Sequence, residues 1–140
     1  MFKSISAALV LLVVQTSSVL AVTPFSVYPT EAQYIKYETE LEQFFSTLAT
    51  KDAGEYIRIS DSQRRFDGKV LCSMLTAFST EEYLTSELER HRLLYDAQEL
   101  RNKNAYTLGV AAAAIDTICT EHRASLIDFV QKYQPNFNSK

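Results

Sequence analysis

Gly68-Lys-Val-Leu-Cys72 and Ala111-Ala-Ala-Ala-Ile-Asp-Thr-Ile-Cys119 hold the chain's only two cysteines. Each cysteine lies in an apolar run with helical spacing. Around the first, Phe66, Val70, Met74 and Phe78 recur every fourth residue, flanked by Leu71, Cys72 and Leu75. Around the second, Ala111, Ile115, Ile118, His122, Leu126, Phe129 and Tyr133 recur at alternations of three and four. Both patterns are one face of an amphipathic helix. Gly68 inside the first helix costs it about 1 kcal/mol relative to Ala. The expected reason is close approach of another backbone. The four alanines thin the second helix in the same way.

The remaining chain reads outward from these two segments. Pro29-Thr-Glu-Ala-Gln33 predicts a helix start, with Thr30 and Gln33 forming a capping box. Tyr34, Tyr37, Leu41, Phe44 and Leu48 then make one face, so a helix is expected over 31–50, closed by Gly54 in a left-handed cap. Residues 55–60 fit either an extended segment or a helical turn. Caps at Ser60, Asp61 and Ser62 place the Cys72 helix over 62–77. Ser79 and Glu82 form a second capping box, opening a helix that runs to about Asn102 on a stripe of Leu84, Leu88, His91 and Tyr95. Asn102-Lys-Asn104 predicts a break, or a bend joining this helix to the next. The Cys119 helix is expected over 105–133, ended by Gln134-Pro135. Four amphipathic helices without a strand pattern predict an all-α bundle; the alternative is three helices, one long and bent. Phe44, Leu48, Met74, Ile115, Ile118 and Phe129 are the expected core.

Lys3, the apolar residues 5–14 and Val19-Leu-Ala21, small or tolerated at the cleavage positions, predict a secretory signal peptide over 1–21, cleaved after Ala21. Its apolar core of about ten residues is short of the roughly 20 that span a bilayer. The expected division is a signal peptide at 1–21, a leader at 22–29, a helical domain at 30–134 and a tail at 135–140. No membrane span is expected in the mature chain. The formal net charge of −3 argues against nucleic acid as partner. Two remote cysteines in an exported chain predict one disulfide, Cys72–Cys119. A zinc site takes four ligands, usually in close pairs, and a thioredoxin-type site takes Cys-x-x-Cys; this chain offers neither pattern.

Other residues that can carry chemistry are few. His91 and His122 fall on apolar stripes, and no spacing joins them to a nucleophile or to each other. Each is expected as a hydrogen-bonded histidine at a helix interface, with no metal or cofactor. Glu38, Glu40 and Glu42 alternate faces on a helix and predict a solvated surface. Arg58, Arg64, Arg65 and Lys69 are interleaved with Asp61 and Asp67 and predict an ordinary mixed surface. Eight Phe and eight Tyr without Trp are the least usual feature; most fall on the stripes.

Phe45-Ser-Thr-Leu48, Gly68-Lys-Val-Leu-Cys72 and the Ala-rich helix to Cys119 resemble a family of small exported bacterial proteins known as domain of unknown function 732. The resemblance covers about half of the mature chain. It implies a signal peptide, a helical fold and one disulfide, and no activity. The chain departs from that family where Thr120 and a further helical segment follow Cys119, and where the insert between the cysteines is longer.

The expectation for function is a non-enzymatic exported module that works by contact with a protein or surface component. The alternative is a carrier of a small apolar ligand held between helices lined by Tyr and Phe. An enzyme is the third and least supported reading, because no convergent polar site is visible in the sequence.

Overall fold

The computed structural model describes residues 26–137, with side chains to Tyr133. Its helices are α1 (Glu31–Ser46), α2 (Gly54–Arg58), α3 (Asp61–Met74), α4 (Thr80–Leu94), α5 (Ala97–Thr117) and α6 (Arg123–Phe137). Single 3-10 turns lie at Thr50–Asp52 and Thr120–His122. The fold is all-α, with the expected signal peptide, the first half of the leader and the tail from residue 138 lying outside the described residues. Among the described residues no helix is long and apolar enough to cross a membrane.

Helix α5 is the axis of the molecule, packing against α1, α2, α3, α4 and α6. It can do so because Gly109, Ala111, Ala113 and Ala114 are buried and thin, so neighbours on several sides come close. A Cβ on Gly109 would lie 2.7 Å from the Phe45 ring and 2.8 Å from the Phe44 ring. Tyr37, Leu41 and Phe45 of α1 fill the space this leaves, with Leu71 of α3, Leu75 at its C-cap, Leu84 of α4, Ile115 of α5 and Phe129 of α6. Fully burying one such leucine stabilises the fold by about 1.5–3 kcal/mol.

The disulfide joins Cys72 to Cys119 across a Cα separation of 5.7 Å. Both cysteines are buried. The bond ties the last turn of α3 to the turn between α5 and α6, as the cysteine count predicts. Both capping boxes form as expected: Thr30 with Gln33, and Ser79 with Glu82.

Several boundaries differ from the sequence reading, each for a local reason. Helix α1 stops at Ser46, short of residue 50, where Ser46 donates to the Gln43 carbonyl and Thr47 to the Phe44 carbonyl. These hydroxyls take carbonyls that a continuing helix would need. Gly54 opens α2 instead of capping α1, and no glycine has positive φ. Of the ambiguous residues 55–60, Glu55 to Arg58 are therefore helical, and Ile59 and Ser60 are extended. The helix begun at Thr80 ends at Leu94, not Asn102, because Asp96 caps a new helix by accepting from the Gln98 and Glu99 amides, both at 3.1 Å. Asn102-Lys-Asn104, expected as a break, lies inside α5.

The helix expected over 105–133 is two helices. The chain turns between Thr117 and Arg123, where Cys119 reaches Cys72. The three-four periodicity continues across the turn because both helices bury one face in the same core. Beyond it, α6 runs through Pro135 to Phe137 instead of ending at Gln134. In the last turn a proline loses one backbone bond only.

The expected core is correct for Ile115 and Phe129, at 1% and 2% exposed. Phe44, Leu48 and Ile118 are only partly buried against it, and Met74 is intermediate. In α1 and α3 the buried face is rotated by about one residue. Gly68 and Cys72 turn α3 so that Leu71 and Leu75 go inward and Phe66 and Phe78 stay exposed. Gly68 faces a ring, not a backbone: its Cβ would lie 2.7 Å from Cζ of Tyr37.

Candidate functional site

Helices α3 and α4 both pack on α5. The wedge between them is a recess of about 290 Å³. Ile59, Leu71 and Val110 give it an apolar floor. Its polar groups come from four elements. Helix α2 brings Glu55, which is 8% exposed. Glu55 accepts from Lys103 of α5 at 2.7 Å and from Arg58. A carboxylate buried to this degree needs such partners, since an unpaired buried charge is strongly destabilising.

Helix α4 contributes Tyr83, Glu87, Arg90 and His91. The turn of the chain at Tyr95–Asp96 folds α5 back beside α4, so that Asn104 Oδ1 sits 3.0 Å from His91 Nδ1. His91 is 4% exposed, and burial lowers its pKa below the usual histidine value. The bond to Asn104 favours a proton on Nδ1, leaving Nε2 as the acceptor, with Arg90 Nη2 at 3.5 Å. Glu87 holds the same Arg90 nitrogen at 2.6 Å. Tyr95 packs edge-on to the His91 ring, and the Lys103 ammonium lies 5.2 Å from the Tyr95 ring centre.

Helix α3 supplies Asp67, which accepts from Gln63 at 2.8 Å and from the Tyr106 hydroxyl of α5 at 2.5 Å. Burial and this bond raise the Tyr106 phenol pKa well above its usual value. Burial, with the nearby Glu87 and Asp67 charges, raises that of Tyr83 to about 12. Both phenols are therefore protonated donors near neutral pH.

A second concavity of about 470 Å³ lies between α1 and α6, on another face of α5. Its floor is Ala112, Ala113 and Ile115, and its walls are Phe44 of α1 with Leu126 and Ile127 of α6. The rim is polar, with Glu40 on α1 and an Arg123–Asp116 ion pair at 2.9 Å. Ile127 is 56% exposed, and Val130 one turn on is 38% exposed.

Of the residues singled out from the sequence, Cys72 and Cys119 come together. His91 and His122 do not: His91 lines the polar recess, while His122 sits in the turn before α6 beside Glu121. The recess gathers polar side chains whose meeting is not visible in the sequence. Its members come from four separate segments, and only Glu87, His91 and Tyr95 share a spacing legible in advance. Glu38 is not simply solvated. It is held by Arg65 through bonds of 2.8 and 2.9 Å, which lower its carboxyl pKa, and Arg65 also binds Glu31. Arg64 donates to the Tyr56 and Ile59 carbonyls and fixes α2 against α3. Among the described residues no group of three or more His, Cys, Asp or Glu could hold a metal ion.

The fold and its recesses define an all-α bundle built around one central helix, stapled by a disulfide. Compared with family models, curated proteins and solved structures, the chain matches none.

Proposed function

We propose that the protein is an exported, non-enzymatic binding module, and that the groove between α1 and α6 is its contact surface. The observation that carries this reading is the apolar lining of that groove, continued onto the exposed Ile127 and Val130 of α6. A groove floored by alanines and walled by Phe44 and Leu126 suits the apolar face of a partner's amphipathic helix, the helix-in-groove mode. The Glu40 rim favours a partner with a basic flank.

In the polar recess the charged groups and His91 already have partners: Glu55 is bonded to Lys103, Glu87 to Arg90, Asp67 to Tyr106 and His91 to Asn104. That supports binding over catalysis, which needs a nucleophile and base free to act. The resemblance to small exported bacterial proteins and the residues of 1–21 support export. The exported form should have the intact mass of a chain beginning at Val22, and retention of Met1 would oppose it.

The contact reading is tested with a photo-cross-linking residue at Ile127 and, separately, at Leu93, an exposed apolar residue on α4. A defined adduct from position 127 and none from 93 is expected. Equal labelling from both positions counts against the groove. The groove's size also fits a carrier of a small apolar ligand, since its volume is in the range of small-molecule sites. Native mass spectrometry of protein from its own source distinguishes this reading by a co-purifying apolar mass.

A further inference from the structure

The polar recess between α3 and α4 stands apart from the groove and uses a different face of α5. Its charges are unevenly matched. Glu55 is paired with Lys103 and, from outside the lining, with Arg58, and Glu87 is paired with Arg90. Asp67, the third carboxylate of the recess, is bonded by neutral donors: the Gln63 amide and the Tyr106 hydroxyl. Arg64, one turn before it, spends its guanidinium on the Tyr56 and Ile59 carbonyls and on Asp61. Asp67 is thus the one carboxylate of the lining that forms no ion pair among the described residues.

The recess also shows how it treats a cation. The Lys103 ammonium rests between the Glu55 carboxylate at 2.7 Å and the Tyr95 ring at 5.2 Å. Carboxylate plus phenol face is a favourable setting for an ammonium, because the ring quadrupole adds to the ion pair. Asp67 lines the same recess with Tyr83 and Tyr106, its carboxylate held by the Tyr106 hydroxyl and close enough to Tyr83 to act on that phenol's charge. The Tyr83 hydroxyl has no hydrogen-bond partner among the described residues, so it remains able to bond a guest.

We propose that this recess binds a small organic ammonium ion, its positive end against Asp67 and Tyr83 and its alkyl part over Leu71 and Val110. The Asp67 carboxylate, bonded only by neutral donors, selects a cation over a neutral or anionic molecule. The volume of about 290 Å³ limits the guest to a small amine. The apolar floor selects an alkylammonium over a hydrated metal ion.

The test is an amide-resolved NMR titration of the folded protein with butylammonium and tetramethylammonium chloride. Butanol and butyrate serve as neutral and anionic counterparts. Saturable shifts confined to residues around Asp67, Tyr83 and Tyr106 are expected with at least one ammonium probe, and with neither counterpart. Asp67→Asn still accepts the Tyr106 bond but removes the charge, so affinity should fall roughly tenfold or more. Tyr83→Leu removes the phenol and should weaken binding several-fold, and it decides the matter if Asp67→Asn does not fold. Ile127→Ser, in the other concavity, should leave ammonium binding unchanged. The proposal is overturned by an absence of saturable shifts with both ammonium probes, by butanol binding as well as butylammonium, or by unaltered affinity in Asp67→Asn.

Discussion

Replacing Gly68 by alanine sets two opposed effects against each other at one buried position. On helix propensity alone the change should stabilise α3 by about 1 kcal/mol. The structure argues the reverse. A Cβ at this position would lie 2.7 Å from Cζ and 2.8 Å from Cε2 of Tyr37. A flexible side chain could move aside, but Tyr37 is 0% exposed and its hydroxyl donates to the Arg64 carbonyl at 2.7 Å. Moving the ring would break that bond, a loss of about 1 kcal/mol, and press on the core, which typically costs about 1–3 kcal/mol. The net expectation for Gly68→Ala is destabilisation by about 1–3 kcal/mol. Urea unfolding followed by far-ultraviolet circular dichroism measures it. Repeating the substitution in a Tyr37→Leu background removes the clash, and there Gly68→Ala should be neutral or stabilising. A double-mutant cycle isolates the coupling between the two positions. If Gly68→Ala stabilises the native background by the full propensity gain, Tyr37 does not hold this space and the packing of α1 on α3 is misassigned.

Three further outcomes follow from the same contacts. Leu41→Ala should cost about 2–5 kcal/mol in urea unfolding, as expected for a leucine 1% exposed, and the partly buried Leu48 should cost clearly less. Reduction of Cys72–Cys119 should lower the melting temperature, since closing a loop across 47 positions stabilises by roughly 4 kcal/mol in the loop-entropy model; the unreduced protein should show no free thiol when denatured. His91 has a folded-state pKa lowered mainly by burial, so its contribution to stability is present above its unfolded value near about 6.5 and is lost as pH falls toward the folded value. Melting temperature should therefore decline below about pH 6.5, and His91→Gln should flatten that part of the curve; an identical slope in the variant would show that His91 does not set it.

The sequence identified what depends on local chemistry. Both capping boxes, the all-α class and the cysteine pair were legible because each rests on a few neighbouring residues or on simple counting. The turn at Tyr95–Asp96 was signalled too, by Asp96 followed by Gln98 and Glu99, but the continuing charge pattern hid it. The turn at Cys119 was not legible from periodicity, because both helices bury the same stripe in one core. What rotated α1 and α3 by a residue was long-range: Gly68 receives Tyr37, and Gly109 receives Phe44 and Phe45. The polar recess was illegible for the same reason, since Asp67 meets Tyr106 and Glu55 meets Lys103 only after α5 folds back between them.

The groove between α1 and α6 is tested most directly by filling it without disturbing the core. Ala112 is half-buried on its floor, so Ala112→Leu adds bulk toward the groove. With the photo-cross-linking residue at Ile127, the yield of the adduct should fall several-fold in Ala112→Leu while the melting temperature stays close to that of the parent. An undiminished adduct in a correctly folded Ala112→Leu protein would contradict the groove as the contact surface.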